Sequence, residues 1–143
     1  MAKRYKFSQT ARDFVAQRAQ GICEYCQMPQ DFVPDAYELE HIIPLVQNGT
    51  NELENIAYSC GGCNGRKRAK MTAIDPITLE IVRLYHPRND NWEEHFQWRE
   101  NFSIIEGISP IGRATVDALL LNRLGCVNLR TVLTPFGQHP PMR

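Results

Sequence analysis

Two pairs of cysteines, each spaced Cys-x-x-Cys, dominate the chemistry that this sequence can support. They are Cys23 with Cys26 and Cys60 with Cys63. Two thiolates at this spacing can reach one ion from a single turn of chain, and zinc prefers four ligands in a tetrahedron. Four thiolates leave no open coordination position, so we predict a structural zinc ion rather than a catalytic one. A single Cys-x-x-Cys pair is also typical of redox proteins, and the presence of two pairs is what favours zinc.

A second set of reactive residues lies between the two cysteine pairs and directly after them. His41 can take a proton from water near neutral pH, and Asn55 could fix the orientation of its imidazole ring. Glu40 and the side-chain carbonyl of Asn64 are hard oxygen ligands that suit Mg²⁺ or Mn²⁺. Lys67 follows Asn64 by about one helical turn and could neutralise a phosphate. A base, a divalent ion and a cation beside a phosphate are the groups that phosphodiester hydrolysis requires.

The adjacency of Glu40 and His41 creates a geometric problem for this interpretation. Neighbouring residues of a regular strand direct their side chains to opposite faces. If both residues serve one site, we expect a twist or a bulge in the strand that carries them.

The order of these residues resembles a known family. Cys-x-x-Cys is followed by Glu-His-Ile-Ile-Pro (40–44), a glycine, an asparagine and Cys-x-x-Cys-Asn-x-x-Lys. This string is similar to that of the HNH endonucleases with a ββα-metal core and a four-cysteine zinc site, and the resemblance covers about residues 8–70. The family more often has Asp where this chain has Glu40, and often His where it has Asn64. Both residues still supply a ligand atom.

The resemblance implies a role for each residue of the set. His41 would be the general base, Asn55 the orienting residue, and Glu40 with Asn64 the ligands of a catalytic Mg²⁺ or Mn²⁺. It further implies hydrolysis of DNA that leaves 5′-phosphate and 3′-hydroxyl ends. The basic residues expected to contact nucleic-acid phosphates are Arg66, Lys67, Arg68 and Lys70.

Two functions follow as hypotheses. The first is a metal-dependent DNA endonuclease, and the second is a zinc-stapled nucleic-acid-binding module whose HNH site is inactive. The complete set of base, orienting residue and metal ligands favours the first, because a binding protein has no use for a base beside a metal ligand. A monomer would nick one strand and a homodimer could cut both, and the sequence leaves this choice open.

Charge is segregated along the chain although the net charge is zero. Residues 1–20 and 60–70 are basic, whereas residues 21–56 carry seven carboxylates and no Lys or Arg. A basic segment beside an acidic one can form a cleft that binds a polyanion and a cation together. Charged runs are also typical of ordinary solvated faces, so charge alone does not decide between these interpretations.

The elements that must position these residues predict an α+β fold. We expect a zinc-stapled ββα-metal core, HNH and treble-clef-like, with an N-terminal helix and a C-terminal extension of strands and helix. The elements predicted for the core are a helix from a cap at Ser8 or Thr10 to Gly21, a strand over 37–44, a strand over 56–59 and a helix over 63–69.

The predicted domain organisation is a core over 1–72, an α+β extension over 73–134 packed on the core, and a flexible tail over 135–143. Stretches 75–98 and 112–116 resemble an extension seen in some bacterial HNH proteins. The elements predicted for it are a strand over 79–85, a strand over 102–105 and a helix that starts at Ser109-Pro110 and runs to about Leu124. The aromatic cluster Trp92, His95, Phe96 and Trp98 could stack unpaired bases, but core packing is the favoured interpretation.

Composition indicates an ordinary globular chain, with 43% hydrophobic residues. The charged N-terminus lacks the apolar run of a signal peptide, and no stretch could span a bilayer, so we expect a cytoplasmic protein with no membrane partner. In a reducing compartment the close cysteine pairs indicate metal ligands rather than disulfides. Cys126 lies far along the chain from both pairs and is interpreted as a buried free thiol. No small-molecule cofactor is expected.

Overall fold

A β-hairpin followed directly by a helix forms the centre of the computed structural model, which describes residues 5–142. Of the residues discussed above, Lys3 and Arg4 of the basic N-terminal segment and Arg143 of the tail lie outside the described residues. The predicted α+β fold class is confirmed.

The hairpin pairs strand β1, Glu38–His41, with strand β2, Ile56–Ser59, in antiparallel register. The pairing runs without a bulge from Glu38 opposite Ser59 to His41 opposite Ile56. Helix α2, Gly61–Lys67, follows at once. The predicted order of strand, strand and helix is therefore confirmed, although the first strand ends at His41 rather than at residue 44.

Helix α1 covers Gln9–Arg18 and begins at one of the two predicted caps. The Ser8 hydroxyl accepts a hydrogen bond from the backbone N–H of Ala11 at 3.1 Å, which satisfies one free donor of the first turn. Val15 is completely buried and packs with Phe7 and Ile56. These contacts place α1 against strand β2.

The loop between β1 and β2 folds back closely on itself. A side chain at Gly49 would place its Cβ 1.8 Å from the carbonyl oxygen of Ile43, so only glycine fits this approach. The Gly49 N–H also donates to the Pro44 carbonyl at 2.9 Å. This compact loop brings its later residues, including Asn51, to the end of β1.

The extension contains two further hairpins and three helices. In chain order they are β3 Thr72–Ile74, β4 Ile81–Arg83, α3 Trp92–His95, β5 Phe96–Arg99, β6 Ile104–Gly107, α4 Pro110–Leu119 and α5 Leu124–Leu133. Strand β3 pairs with β4, and β5 pairs with β6, both antiparallel.

Helix α4 begins at its predicted cap but ends earlier than predicted. The Ser109 hydroxyl accepts from the Gly112 N–H at 2.9 Å, and Pro110 occupies the first turn. The helix ends at Leu119 because Leu120 adopts a left-handed conformation, φ 48°. The prediction of one helix to Leu124 was wrong, and the separate helix α5 was not predicted.

One cluster of buried residues runs through both the HNH-like segment and the extension. It contains Tyr25 and Cys63 from the first segment together with Phe96, Ile105 and Leu119 from the second. Trp92 and Phe96 of the predicted aromatic cluster are buried in it and Trp98 packs against it, so core packing is confirmed over base stacking. The boundary at residues 72 and 73 stays a prediction.

The tail that was predicted to be flexible contains one buried residue. His139 is buried, its Nε2 lies 2.8 Å from the Phe102 carbonyl, and its ring meets Trp98 edge-on at 4.6 Å. The tail therefore contacts the extension at this residue, and its mobility elsewhere stays a prediction. Within residues 5–142, no helix is both long enough and apolar enough to cross a bilayer.

Candidate metal centre and active site

The four cysteines of the two pairs meet at one point, as predicted. Their Sγ atoms all lie within 4.8 Å of one another, and Cys26 Sγ is 3.7 Å from Cys60 Sγ. Zinc–sulfur bonds of about 2.3 Å in a tetrahedron require sulfur atoms about 3.8 Å apart. None of the cysteines of the chain forms a disulfide. The donor set and its dimensions therefore fit a structural zinc ion held by four thiolates.

Local backbone structure places each pair. In the first, Cys23 donates its N–H to the Met28 carbonyl at 3.0 Å, which closes a tight turn around Cys26. In the second, Cys60 caps helix α2, because its Sγ accepts from the Cys63 N–H at 3.3 Å. The cap and the first turn of α2 thus carry the two thiolates of the second pair.

Residues of the extension also contact the metal centre. The Arg123 guanidinium donates to Cys60 Sγ at 3.4 Å and to Cys63 Sγ at 3.6 Å. A Cβ at Gly62 would lie 2.7 Å from Arg123 Nη2, so the missing side chain at this position admits the guanidinium. Arg130 is completely buried and donates to the Cys26 carbonyl at 3.0 Å.

Cys126 is a buried free thiol, as predicted, but it is not remote from the metal centre in space. Hydrogen bonding with Cys26 lowers the pKa of Cys126 to about 7, and the charges of Arg123 and Arg130 act in the same direction. Distance along the chain was therefore a poor guide to its surroundings, because helix α5 returns the residue to the first cysteine pair.

A cavity of about 600 Å³ opens beside strand β1 and helix α2. Glu40, His41 and Asn64 all line it, together with Glu38 and Arg68. Glu40 and His41 therefore reach one cavity although the strand pairing shows no bulge. The predicted base and the two predicted metal ligands lie around the same space.

The His41 ring is held by Asn51. Its Nε2 lies 2.8 Å from Asn51 Oδ1, and its ring packs 5.6 Å from that of Phe7. An amide oxygen can only accept a hydrogen bond, so Nε2 carries the proton in this contact. The lone pair of the neutral ring is then on Nδ1, which is the atom able to act as a base.

Asn55 does not contact the imidazole, contrary to the role assigned to it from the sequence. Its Oδ1 accepts from the Ile43 N–H at 2.9 Å, and its Nδ2 donates to the carbonyls of Ile43 at 3.0 Å and Thr50 at 2.8 Å. Asn55 therefore fixes the loop that carries Asn51. The sequence pattern gave no reason to select Asn51 over the other asparagines of this loop.

Glu40 forms a buried ion pair with Lys67. Glu40 Oε1 lies 2.6 Å from Lys67 Nζ, and Oε2 accepts from the Tyr25 hydroxyl at 2.7 Å. Burial raises the pKa of Glu40, and the charge of Lys67 opposes this rise. Burial also raises the pKa of Tyr25 well above its usual range, so its hydroxyl keeps the proton that it donates.

Lys67 is therefore placed differently from its predicted role at a phosphate. Its side chain is only 1% exposed, and its Nζ also donates to the carbonyls of Ile42 at 2.7 Å and His41 at 3.3 Å. Because it is buried, the ammonium cannot contact a phosphate in the cavity. Its observed contacts instead hold the end of β1 against α2.

Glu38 is a candidate residue that the sequence pattern missed. It lies two residues before Glu40, so both side chains project from the same face of β1. Glu38 is half-buried and its Oε2 accepts a hydrogen bond from Asn64 Nδ2. The alternation of side-chain direction along a strand that starts near residue 37 could have indicated Glu38, but the family resemblance assigns the metal ligand to Glu40.

The other predicted phosphate contacts are exposed or half-buried. Arg68 is exposed and lines the cavity, as does Arg12 of helix α1. Arg66 donates to the Gly62 carbonyl at 3.0 Å, and Lys70 donates to the Arg66 carbonyl at 3.1 Å, and neither lines the cavity. Arg12 and Arg68 are thus the cations best placed to meet a phosphate beside His41.

Comparison with known families agrees with this arrangement. The family model described as HNH endonuclease matches residues 23–70, from the first cysteine to the residues just after α2. No curated protein matches the chain at a significant level. The match includes both cysteine pairs, the β1–β2 hairpin and α2. Residues 23–70 of this chain therefore match the HNH endonuclease family model, and the four cysteines within them are clustered as in a zinc site.

Proposed function

We propose that the protein is a metal-dependent endonuclease that hydrolyses DNA phosphodiester bonds. The observation that supports this most directly is the cavity in which His41, with Nε2 bound to Asn51, lies beside Asn64 and a carboxylate. HNH domains generally act on nucleic acid, and this cavity also presents Arg12 and Arg68. The residues that we propose as base, metal ligands and phosphate-binding cations thus line one cavity.

The residues of the chain would divide the reaction among them. Nδ1 of His41 would take the proton from the attacking water, while Asn51 keeps the ring in position. Arg68 and Arg12 would hold the scissile phosphate. Asn64 and a carboxylate, Glu40 in the family pattern, would hold Mg²⁺ or Mn²⁺, which would stabilise the charge that develops on the phosphate. The zinc ion has no part in this chemistry, because its four thiolates leave no open position.

The first test is plasmid nicking by the zinc-loaded protein with Mg²⁺ or Mn²⁺. We expect His41→Ala to lower the cleavage rate by about 10²–10⁴-fold, the usual contribution of a general base. Zinc content and melting temperature should stay at wild-type values, because the His41 side chain is only half-buried.

His86→Ala is the matched control. His86 lies outside the cavity, where its Nδ1 accepts from the N–H groups of Arg88 and Asn89 in a turn of the extension. Equal cleavage by wild type and His41→Ala would contradict the catalytic assignment.

The second candidate function is a zinc-stapled nucleic-acid-binding module without catalysis. The Glu40–Lys67 ion pair favours it, because this pair occupies the carboxylate that the family pattern assigns to the divalent ion. Such a module would bind labelled DNA in an anisotropy assay, yet leave plasmid intact with either ion. DNA cleavage that depends on His41 would exclude it.

A further inference from the structure

We infer that Glu38, rather than Glu40, is the carboxylate that binds the divalent ion together with Asn64. The inference rests on the proposed function and specifies its metal site. Glu40, by contrast, serves as the counter-charge of Lys67 and holds the hairpin to helix α2.

Glu40 is poorly available to a metal ion. Each of its oxygens already accepts a hydrogen bond, one from Lys67 Nζ at 2.6 Å and the other from the Tyr25 hydroxyl at 2.7 Å. Its side chain is 3% exposed. A divalent ion on Glu40 would either lie next to a buried ammonium, where the two positive charges repel, or displace it. Displacement would leave Lys67 charged and unpaired in the interior, which is strongly unfavourable.

Glu38 has the opposite properties. It is half-buried, lines the cavity beside His41 and Asn64, and has no salt-bridge partner among residues 5–142. The side chain of Glu38 forms one hydrogen bond within this range, which it accepts from Asn64 Nδ2. A carboxylate with free lone pairs facing a water-accessible cavity is the kind of ligand that Mg²⁺ and Mn²⁺ use, with waters and phosphate oxygens completing the shell.

The contact between Glu38 and Asn64 also indicates how these two side chains could bind a divalent ion together. An amide group has a donor at one end and an acceptor at the other, so half a turn of the Asn64 amide replaces Nδ2 with Oδ1. Two oxygens facing each other repel unless a cation lies between them. Glu38 and Asn64 are thus already side by side, and together they would hold a divalent ion once the Asn64 amide has turned.

The test is Mn²⁺ binding to the zinc-loaded protein, measured by the loss of the electron paramagnetic resonance signal of free Mn²⁺. We expect Glu38→Gln to weaken Mn²⁺ binding by at least about tenfold, since loss of even an outer contact of a metal site has effects of this size. Zinc content and melting temperature should not change. Glu80→Gln, which removes an exposed carboxylate of the β3–β4 turn, is the matched control.

A second variant separates the two carboxylates. Glu40→Gln alone leaves Lys67 buried without a counter-charge and could fail to fold, so Glu40→Gln is combined with Lys67→Met. We expect the double variant to bind Mn²⁺ with wild-type affinity. Loss of Mn²⁺ binding by the folded double variant, with normal binding by Glu38→Gln, would overturn the inference, as would the absence of Mn²⁺ binding by wild type.

Plasmid nicking in parallel distinguishes this inference from the proposed function. If His41→Ala abolishes nicking while Glu38→Gln binds Mn²⁺ normally, the endonuclease proposal stands and the assignment of Glu38 falls. If Mn²⁺ binding depends on Glu38 but wild type does not nick DNA, the assignment stands and the endonuclease proposal falls.

Discussion

At the scale of single residues, Lys67 joins strand β1 to helix α2 through a buried ammonium. Its ammonium is buried and meets one carboxylate and two backbone carbonyls at the end of β1. A buried ion pair is weak evidence for stability as a whole, but removing one partner leaves the other charge without compensation. Lys67 therefore holds the hairpin that carries His41, and its buried ammonium is not available to a ligand in the cavity.

The expected effect of Lys67→Met is a loss of about 3–5 kcal/mol in the free energy of unfolding, because Glu40 stays buried without its counter-charge. Urea unfolding of the zinc-loaded protein measures it. The double variant Glu40→Gln with Lys67→Met should recover most of this loss, because neither buried charge is then left without its partner. A single variant within about 1 kcal/mol of wild type would show that the ion pair is not a structural requirement.

The sequence predicted the cysteine cluster fully but the contacts of the active site only in part. Cys-x-x-Cys brings two ligands together within one turn, so its chemistry is local and can be read from spacing. The expectation that His41 and Asn64 serve one site came from the combination of residue types and from the family resemblance, and both residues line one cavity. The partners of His41 and Lys67 depend on how the loop and helix fold over the strand, and side-chain direction of this kind is not encoded in spacing.

At the scale of secondary-structure elements, Asp75 connects the β3–β4 hairpin to helix α4. Its carboxylate accepts from Arg113 Nε at 2.9 Å and Nη2 at 2.8 Å, and also from the Ile77 N–H and the Thr78 hydroxyl within the turn. These donors favour the ionised form, and Arg113 holds the pKa of Asp75 well below its ordinary value. One buried carboxylate thus fixes both the turn and the helix beside it.

We expect the stabilising effect of Asp75 to depend on pH. Because its pKa is lowered on folding, its contribution is fully present above the ordinary value of 3.8 and is lost as pH falls through the lower folded value. Asp75→Asn should therefore melt at a lower temperature than wild type at pH 7, and the difference should shrink below pH about 4.

Comparing the two proteins at each pH removes the acid sensitivity of the cysteine cluster, which both share. A difference in melting temperature that stays constant from pH 7 to pH 3 would contradict this role of Asp75.

Among the elements, those with a local signal were predicted and those set by tertiary contacts were not. Ser8 and Ser109-Pro110 marked the starts of α1 and α4, because a capping side chain acts on its own first turn. The end of α4 was not predicted because Leu120 takes a left-handed conformation, which leucine rarely adopts. No residue type around Leu120 indicates this conformation. Because α4 ends at Leu119, the residues from Leu124 onwards form the separate helix α5.

At the scale of the whole molecule, the metal centre and the extension share one core. Arg123 and Arg130 bind sulfur atoms and backbone of the cysteine cluster, and the buried cluster of apolar residues includes both segments. Binding of structural zinc contributes on the order of 10 kcal/mol or more to folding at neutral pH. Its loss should therefore reach residues far from the thiolates.

Zinc removal by a chelator, or the substitution Cys23→Ser or Cys63→Ser, should lower zinc content and unfold the extension together with the HNH-like segment. Tryptophan fluorescence measures this well, because the two tryptophans of the chain, Trp92 and Trp98, are both in the extension. We expect a red shift in their emission in step with zinc release.

Cys126→Ser is the matched control and should keep its zinc, because Cys126 is not one of the four clustered thiols. Unchanged tryptophan emission after complete zinc loss would show that the extension folds on its own. Wild-type zinc stoichiometry in Cys23→Ser would remove the four-thiolate assignment.

The contact of Arg123 with the cysteine sulfurs shows that the cysteine cluster has partners outside the segment that the family model matches. A zinc ion with four thiolates carries a net charge of about −2, and a guanidinium that donates to two of the sulfurs offsets part of it. That guanidinium comes from residue 123, far beyond the matched range of 23–70. We expect Cys60 and Cys63 of a polypeptide cut at the edges of the match to react faster with alkylating and oxidising agents than those of the intact chain. The residues that contact the cysteine cluster thus extend over a longer part of the chain than the family model matches.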